Sequence, residues 1–276
     1  MQRSSYSGPV LLCLRGLAVL GMAAGLLGCP NPQTYGTPRT TPQGKLQHTV
    51  AIEALHASAT TTTTVTNPDG TQRTSEATSS ATVPMLPTYQ LRVGVADRAD
   101  VGVRVTNLSA LGADVKWNFL KSESLDLAID PGMQMNYFSA NNASVFVLYG
   151  HLPLLAGINF GESATLVGAG GLVVAYASGA ASGDEGTRTV SSGGNLGARF
   201  GVGFQFRVSP KFALHPEVTA MKFFNEASNL MVMFGLGFNF GNLPSYAPGS
   251  ENDTPETPAA APAPAPQPAP EAAPVE

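Results

Sequence analysis

Between residues 46 and 241 apolar and polar residues alternate with a period of two, so that each segment presents one greasy face and one hydrophilic face. The pattern is plainest at 196–208. There Leu196, Ala198, Phe200, Val202, Phe204, Phe206 and Val208 are separated by Gly197, Arg199, Gly201, Gly203, Gln205 and Arg207. The same alternation puts Tyr89, Leu91, Val93 and Val95 opposite Gln90, Arg92 and Gly94, and Val101, Val103 and Val105 opposite Gly102 and Arg104. Val115, Trp117 and Phe119 then stand against Asp114, Lys116 and Asn118, and Leu125, Leu127, Ile129, Met133 and Met135 against Asp126, Asp130 and Gln134. Toward the end Phe212, Leu214 and Val218 oppose His215 and Glu217, and Leu230, Val232, Phe234, Leu236, Phe238 and Phe240 oppose Gly235, Gly237 and Asn239. Segments 46–57, 144–158 and 164–177 predict strands whose phase stays open.

Short turns at 96–100, 121–124, 161–163 and 209–211 contrast with long Thr-, Ser- and Gly-rich stretches at 58–82 and 177–194, which are expected to be loops. About ten strands result, or eight if one pair is miscounted. The polar face decides what solvent each side meets. A water-facing sheet face is rich in Lys, Glu and Thr, whereas this one is largely Gly with widely spaced charges, which suits a crowded interior. No apolar run after residue 29 is long enough for a spanning helix. Strands of roughly 9 to 11 residues, apolar outward and polar inward, are what closure into a transmembrane barrel requires. The fold expected is therefore all-β: a closed antiparallel up-and-down transmembrane barrel over 46–241. Tyr89, Trp117, Phe119, Tyr137, Phe206, Phe212 and Phe240 are placed as interfacial girdles.

The two ends change the picture. Residues 1–28 have the Arg3 and Arg15 charges and the apolar run of an export signal. "LLGC", ending in Cys29, resembles a bacterial lipobox, which implies acyl chains on Cys29 and, with Pro30 following, sorting to the outer membrane. Residues 29–45 are expected to be a polar linker from that anchor, and 242–276 a disordered Pro/Ala-rich acidic tail. With an even strand count both termini would lie in the periplasm. Lys and Arg number 15 against 19 Asp and Glu, which excludes a basic nucleic-acid surface. Cys13 lies inside the signal, so Cys29 alone would remain, and the four histidines are scattered without ligand spacing; neither a disulfide, a metal site nor a cofactor is expected.

Residues 46–241 resemble small bacterial outer-membrane barrels of the OmpA-like and OmpW-like families. "MFGLGFNF", with Gly235, Phe238 and Phe240, is similar to the C-terminal strand signal read by the barrel-assembly machinery, which that resemblance makes a partner during biogenesis alongside outer-membrane lipid.

The candidate chemistry is a lumen polar network of Arg92, Arg104, Asp114, Lys116, Asp126, Asp130, Arg199, Arg207, His215 and Glu217, in which enclosed charges must find partners. A structural, adhesive or surface-recognition role follows, with at most a narrow pore, and an extracellular ligand reached through 58–82 and 177–194. The alternatives are a lipid-anchored soluble periplasmic β-sandwich or lipocalin-like binding module, and an outer-membrane lipid hydrolase. For the last, His56 with Ser58 and His215 with Glu217 are the nearest approach to a catalytic pair, and neither makes a triad, so no catalytic residue and no enzyme activity are expected.

Overall fold

A computed structural model describes residues 31–66, 71–107, 109–140, 143–183, 186–224 and 229–246. In chain order the strands are β1 (Leu46–Thr66), β2 (Gln72–Pro84), β3 (Thr88–Ala96), β4 (Ala99–Thr106), β5 (Ala110–Lys121), β6 (Leu125–Ile129), β7 (Gly132–Ala140), β8 (Ala143–Phe160), β9 (Ala164–Gly183), β10 (Gly186–Ser209), β11 (Phe212–Phe223) and β12 (Asn229–Gly241). All named pairings are antiparallel between neighbours, and β12 pairs with β1 from Gln47↔Gly241 to Ala59↔Asn229, which closes the sheet on itself. Both β2 and β3 pair with β1, and β6 and β7 both lie between β5 and β8. Each pair is one interrupted stave, broken by prolines (Pro84 and Pro87; Pro131) that cannot donate to a ladder, so the barrel has ten staves.

The solvent preference of the faces is the reverse of that in a water-soluble protein. Among the described residues buried polar side chains outnumber buried apolar ones about two to one, while Phe200, Tyr137 and Val208 are 63%, 62% and 65% exposed. The outward band includes Val101, Val103, Val105, Leu111, Val115, Trp117, Met133, Leu152, Leu154, Ile158, Phe206 and Phe234. Such a surface is stable only against acyl chains. A sandwich or lipocalin-like module would put these residues in a central core.

Two expectations about connections are corrected. The described residues of 58–82 and 177–194 are mostly strand rather than loop: β1 runs to Thr66 and pairs with β2 to Gln72, and β9 and β10 pair out to Gly183↔Gly186. Beyond the lipid band no face must be apolar, so alternation lapses there while backbone pairing continues through β-branched Thr and Val and small Ser, Gly and Ala. The staves are consequently uneven. β8, β9 and β10 have 18, 20 and 24 residues against 8 in β4, so two sheet-like projections rise from one rim. At the opposite rim the turns are tight, and the ends of the barrel meet where the Asn242 amide donates to the Leu46 carbonyl at 2.9 Å.

The linker expectation is the largest correction. Residues 31–45 do not lead away from the barrel; Asn31, Gln33, Thr34, Tyr35, Thr37, Arg39, Thr40 and Thr41 are buried, held by inward-facing strand residues. This segment descends through the lumen and joins β1 after Gln43 bridges Gly94. A Pro-, Thr- and Gln-rich stretch is uncommitted to helix or strand, and its backbone groups find acceptors and donors on the lumen wall. Likewise the start of the tail is ordered: Leu243, Ser245 and Tyr246 are buried against the tight-turn rim. Cys29, the signal and residues 247–276 lie outside the described residues.

Candidate functional site: a plugged, charge-lined lumen

Period-two alternation aims every second strand residue inward, and the plug settles among those residues at three levels. At the tight-turn rim Arg39 reaches back from the plug to the wall, its Nε donating to Asp126 at 2.7 Å and its Nη2 to the Ser122 carbonyl at 2.8 Å. A further Arg39 nitrogen donates to the Ser245 carbonyl, and the Tyr246 ring lies 5.0 Å from the Arg39 guanidinium carbon and 5.4 Å from that of Arg207. Gln205 donates to the Tyr246 hydroxyl at 3.1 Å. Tail, plug and wall are thus tied at one point by cation–π and hydrogen-bond contacts.

In the middle lies the charged cluster. Arg92 donates from Nε to Asp100 at 2.8 Å, and its Nη2 is 2.7 Å from Asp114 and 3.1 Å from Asp130. Lys116 lies 3.4 Å from Asp100 and donates to the Thr37 carbonyl at 3.1 Å, while the Thr41 amide donates to Asp100 at 2.7 Å. All five charged groups are buried, so each depends on the others.

The third level holds Glu217 and Glu53. Tyr35, with a left-handed φ of 48°, turns consecutive amides toward one carboxylate: Thr34 N–H donates to Glu217 at 3.0 Å and Tyr35 N–H at 2.7 Å. The Tyr35 hydroxyl and Asn31 amide both donate to Glu53 at 2.7 Å, Gln33 donates to the Met233 carbonyl at 2.9 Å, and Arg104 donates to the Gln33 carbonyl at 2.6 Å. Glycines make the space. A Cβ at Gly235 would overlap the Tyr35 hydroxyl, one at Gly94 the Pro42 carbonyl, and one at Gly157 would stand 2.9 Å from Pro38. The glycine-rich inner face is cut to fit this segment.

Of the residues expected in the lumen, Arg92, Arg104, Asp114, Lys116, Asp126, Asp130, Arg199, His215 and Glu217 are all buried inside; Arg207 sits half-buried at the tight-turn rim, donating to the Leu243 carbonyl at 3.3 Å. Glu53, Asp100 and the whole plug were missed. Asp100 was readable, since it continues the Gly102, Arg104 face by two positions, but the turn-like "ADRAD" hid it. Gly235 has a role besides any strand signal, Phe240 is 37% exposed on the outer face, and Phe238 is half-buried there.

The candidate catalytic pairs are engaged with other partners. His56 Nδ1 sits 2.8 Å from the Thr82 hydroxyl, and Ser58 donates weakly to the Leu230 carbonyl at 3.5 Å. His215 Nε2 is 3.7 Å from Glu217, which the plug amides already occupy. Among the described residues no group of three or more His, Cys, Asp or Glu side chains is placed to hold a metal.

No family model matches the chain, and no curated protein matches it. Among solved structures, the attachment invasion locus protein Ail of Yersinia pestis, in complex with the heparin analogue sucrose octasulfate, is 14% identical, with a TM-score of 0.37 over 72% of this chain and 100% of that one. The outer membrane protease OmpT from Escherichia coli is 8% identical, with a TM-score of 0.44 over 75% and 100%. The outer membrane protein OprG from Pseudomonas aeruginosa is 11% identical, with a TM-score of 0.33 over 74% and 99%. The class is set by this chain's own register and surface: a closed ten-stave barrel of the membrane-spanning kind, filled by its own N-terminal segment.

Proposed function

We propose that this chain is a bacterial outer-membrane barrel that holds its own lumen shut and acts outside through its two projecting sheets. The seated plug is the observation that supports the closed reading. Its backbone and side chains take up Glu217, Glu53, Asp100, Asp126, Lys116 and Arg104, the groups that would otherwise line a charged pore. The surface role falls to the β1–β2 hairpin and to β8–β10, which continue the wall beyond what spanning requires and carry a sequence dense in Thr, Ser, Ala and Gly. Barrel-assembly machinery would act on β12, and no enzymatic step is assigned, since His56 and Ser58 are engaged with separate partners. Planar-bilayer recording tests the closure: the mature protein freed of any acyl anchor by Cys29→Ser should give no steady conductance, and further deletion of residues 31–41 should give one. A steady pore in Cys29→Ser with residues 31–41 intact would refute it.

Lipidation of Cys29 is part of the same proposal, and the plug constrains it. Asn31 is bonded to Glu53, seven residues up β1 from Leu46, or roughly 18 Å above the tight-turn rim for a tilted strand. Two residues reach about 7 Å at full extension. Acyl chains on Cys29 therefore cannot lie in the leaflet at that rim while Asn31 is seated. A lipid anchor in the periplasmic leaflet and a filled lumen are alternative states of one segment, which revises the expectation that the linker simply emerges there. Mass spectrometry of the mature N-terminus, combined with thiol labelling of Thr37→Cys from the periplasmic side, tests this. Acylated protein should label and non-acylated protein should be protected; equal protection of both would contradict it.

A further inference from the structure

We propose a binding site for a small oxyanion in the lumen, on the outward side of the plug, formed by Arg199 and Arg104 with Tyr149 and Gln134. Arg199 is 2% exposed and Arg104 4%, and among the described residues no carboxylate lies within ion-pair distance of either. The carboxylates that could balance them are committed elsewhere. Glu217 accepts from the Thr34 and Tyr35 amides and the Thr219 hydroxyl, and Glu53 from Asn31, Tyr35 and Thr88. Arg199 is left with one long contact, Nη1 to His151 Nδ1 at 3.5 Å, in which the imidazole nitrogen accepts. Its Nε and Nη2, the Nη2 of Arg104, the Tyr149 hydroxyl and the Gln134 Nε2 are buried without a hydrogen-bond partner.

These groups belong to one neighbourhood. Arg199 follows the register Gly171↔Arg199↔Met221, one inward position below Val173, and His151 pairs with Val173 on β8. Gln134 pairs with Tyr149, and Arg104 reaches the same level from across the lumen through its bond to Gln33. Five N–H or O–H donor atoms, three of them on the two guanidinium groups, are left without an acceptor. Buried donors and unpaired charge are costly, and a planar guanidinium fork is matched by an oxyanion. Tyr149, Val173 and Met221 pack together on the outward side, with Phe223 and Met231 against them. The donors therefore lie between the plug and an apolar cluster, which favours a compact free anion such as sulfate or phosphate over a lipid headgroup.

The test uses the whole mature protein in detergent, with sulfate and phosphate as probes and sodium chloride at matched ionic strength as the control. Both oxyanions should raise the thermal unfolding midpoint saturably beyond chloride. Arg199→Gln and Arg104→Gln should each weaken the apparent affinity at least about tenfold, the loss of one charge-assisted bond. Arg98→Gln, on the exposed rim, should leave it unchanged, and Arg199→Lys should retain part of it. Folding of each variant is verified by its mobility on unboiled gels. No saturable response in the wild type, or a response in Arg199→Gln and Arg104→Gln equal to that of the wild type, overturns the site. Neither result bears on lumen closure, which is read from conductance.

Discussion

Glu217→Gln isolates the plug's hold on the lumen. The carboxylate accepts the Thr34 and Tyr35 amides at 3.0 and 2.7 Å, with hydroxyl contacts from Thr34 and Thr219. Charge-assisted hydrogen bonds contribute ~1.5–3 kcal/mol each, about twice their neutral counterparts. The amide retains one accepting oxygen and turns an NH₂ group toward the second donor. One bond is lost and another weakened, offset in part because the amide is cheaper to bury. A net loss of about 2 kcal/mol in seating corresponds to about a 30-fold increase in the unseated fraction. The strand contacts of β11 are untouched, so the barrel should assemble as before. Single-channel recording reads the outcome directly: openings should be about 30-fold more frequent than in the wild type, with the conductance of the 31–41 deletion. If the deletion conducts and Glu217→Gln opens no more often than the wild type, Glu217 does not hold the plug.

Other outcomes follow from the same geometry. Gly235→Val directs carbon into the Tyr35 hydroxyl while leaving the outer face intact, so it should open the lumen in the same recordings without loss of heat-modifiable gel mobility. Arg92→Met strands Asp100, Asp114 and Asp130 without their shared cation, and should cost about 3–5 kcal/mol in reversible unfolding from detergent or liposomes. Phe200→Arg, on the lipid face in the middle of β10, should cost about 2–4 kcal/mol in liposomes, with Phe200→Leu near neutral. Equal stability of the arginine and leucine variants would contradict that placement.

The spanning part of the fold was legible because lipid enforces alternation. Residues 196–208 can satisfy an apolar outside and a polar inside in one phase only, so Arg199 and, by the same rule on β11, Glu217 could be aimed inward from sequence. Where that constraint relaxes, legibility ends. β1 carries small alanines on both faces around Glu53, so its phase stayed open and Glu53 was overlooked. The Thr-rich β1–β2 hairpin and the Ser/Gly-rich end of β9–β10 stand outside the lipid, where backbone pairing leaves no periodic trace. The plug was least legible of all. Its turns follow no repeat, and its partners lie far along the chain, Glu217 183 residues from Thr34 and Ser245 206 from Arg39. Abundant glycine on the polar face was the one signal pointing to a crowded interior, without saying what crowds it.

The outward placement of the phenylalanines is tested most directly by fractionating cells that express the chain with Cys29→Ser, which removes any acyl anchor. The variant should stay in the membrane pellet through alkaline carbonate and urea, enter solution only with detergent, and migrate differently before and after boiling. Recovery of a folded, detergent-free monomer from the soluble fraction would contradict the barrel.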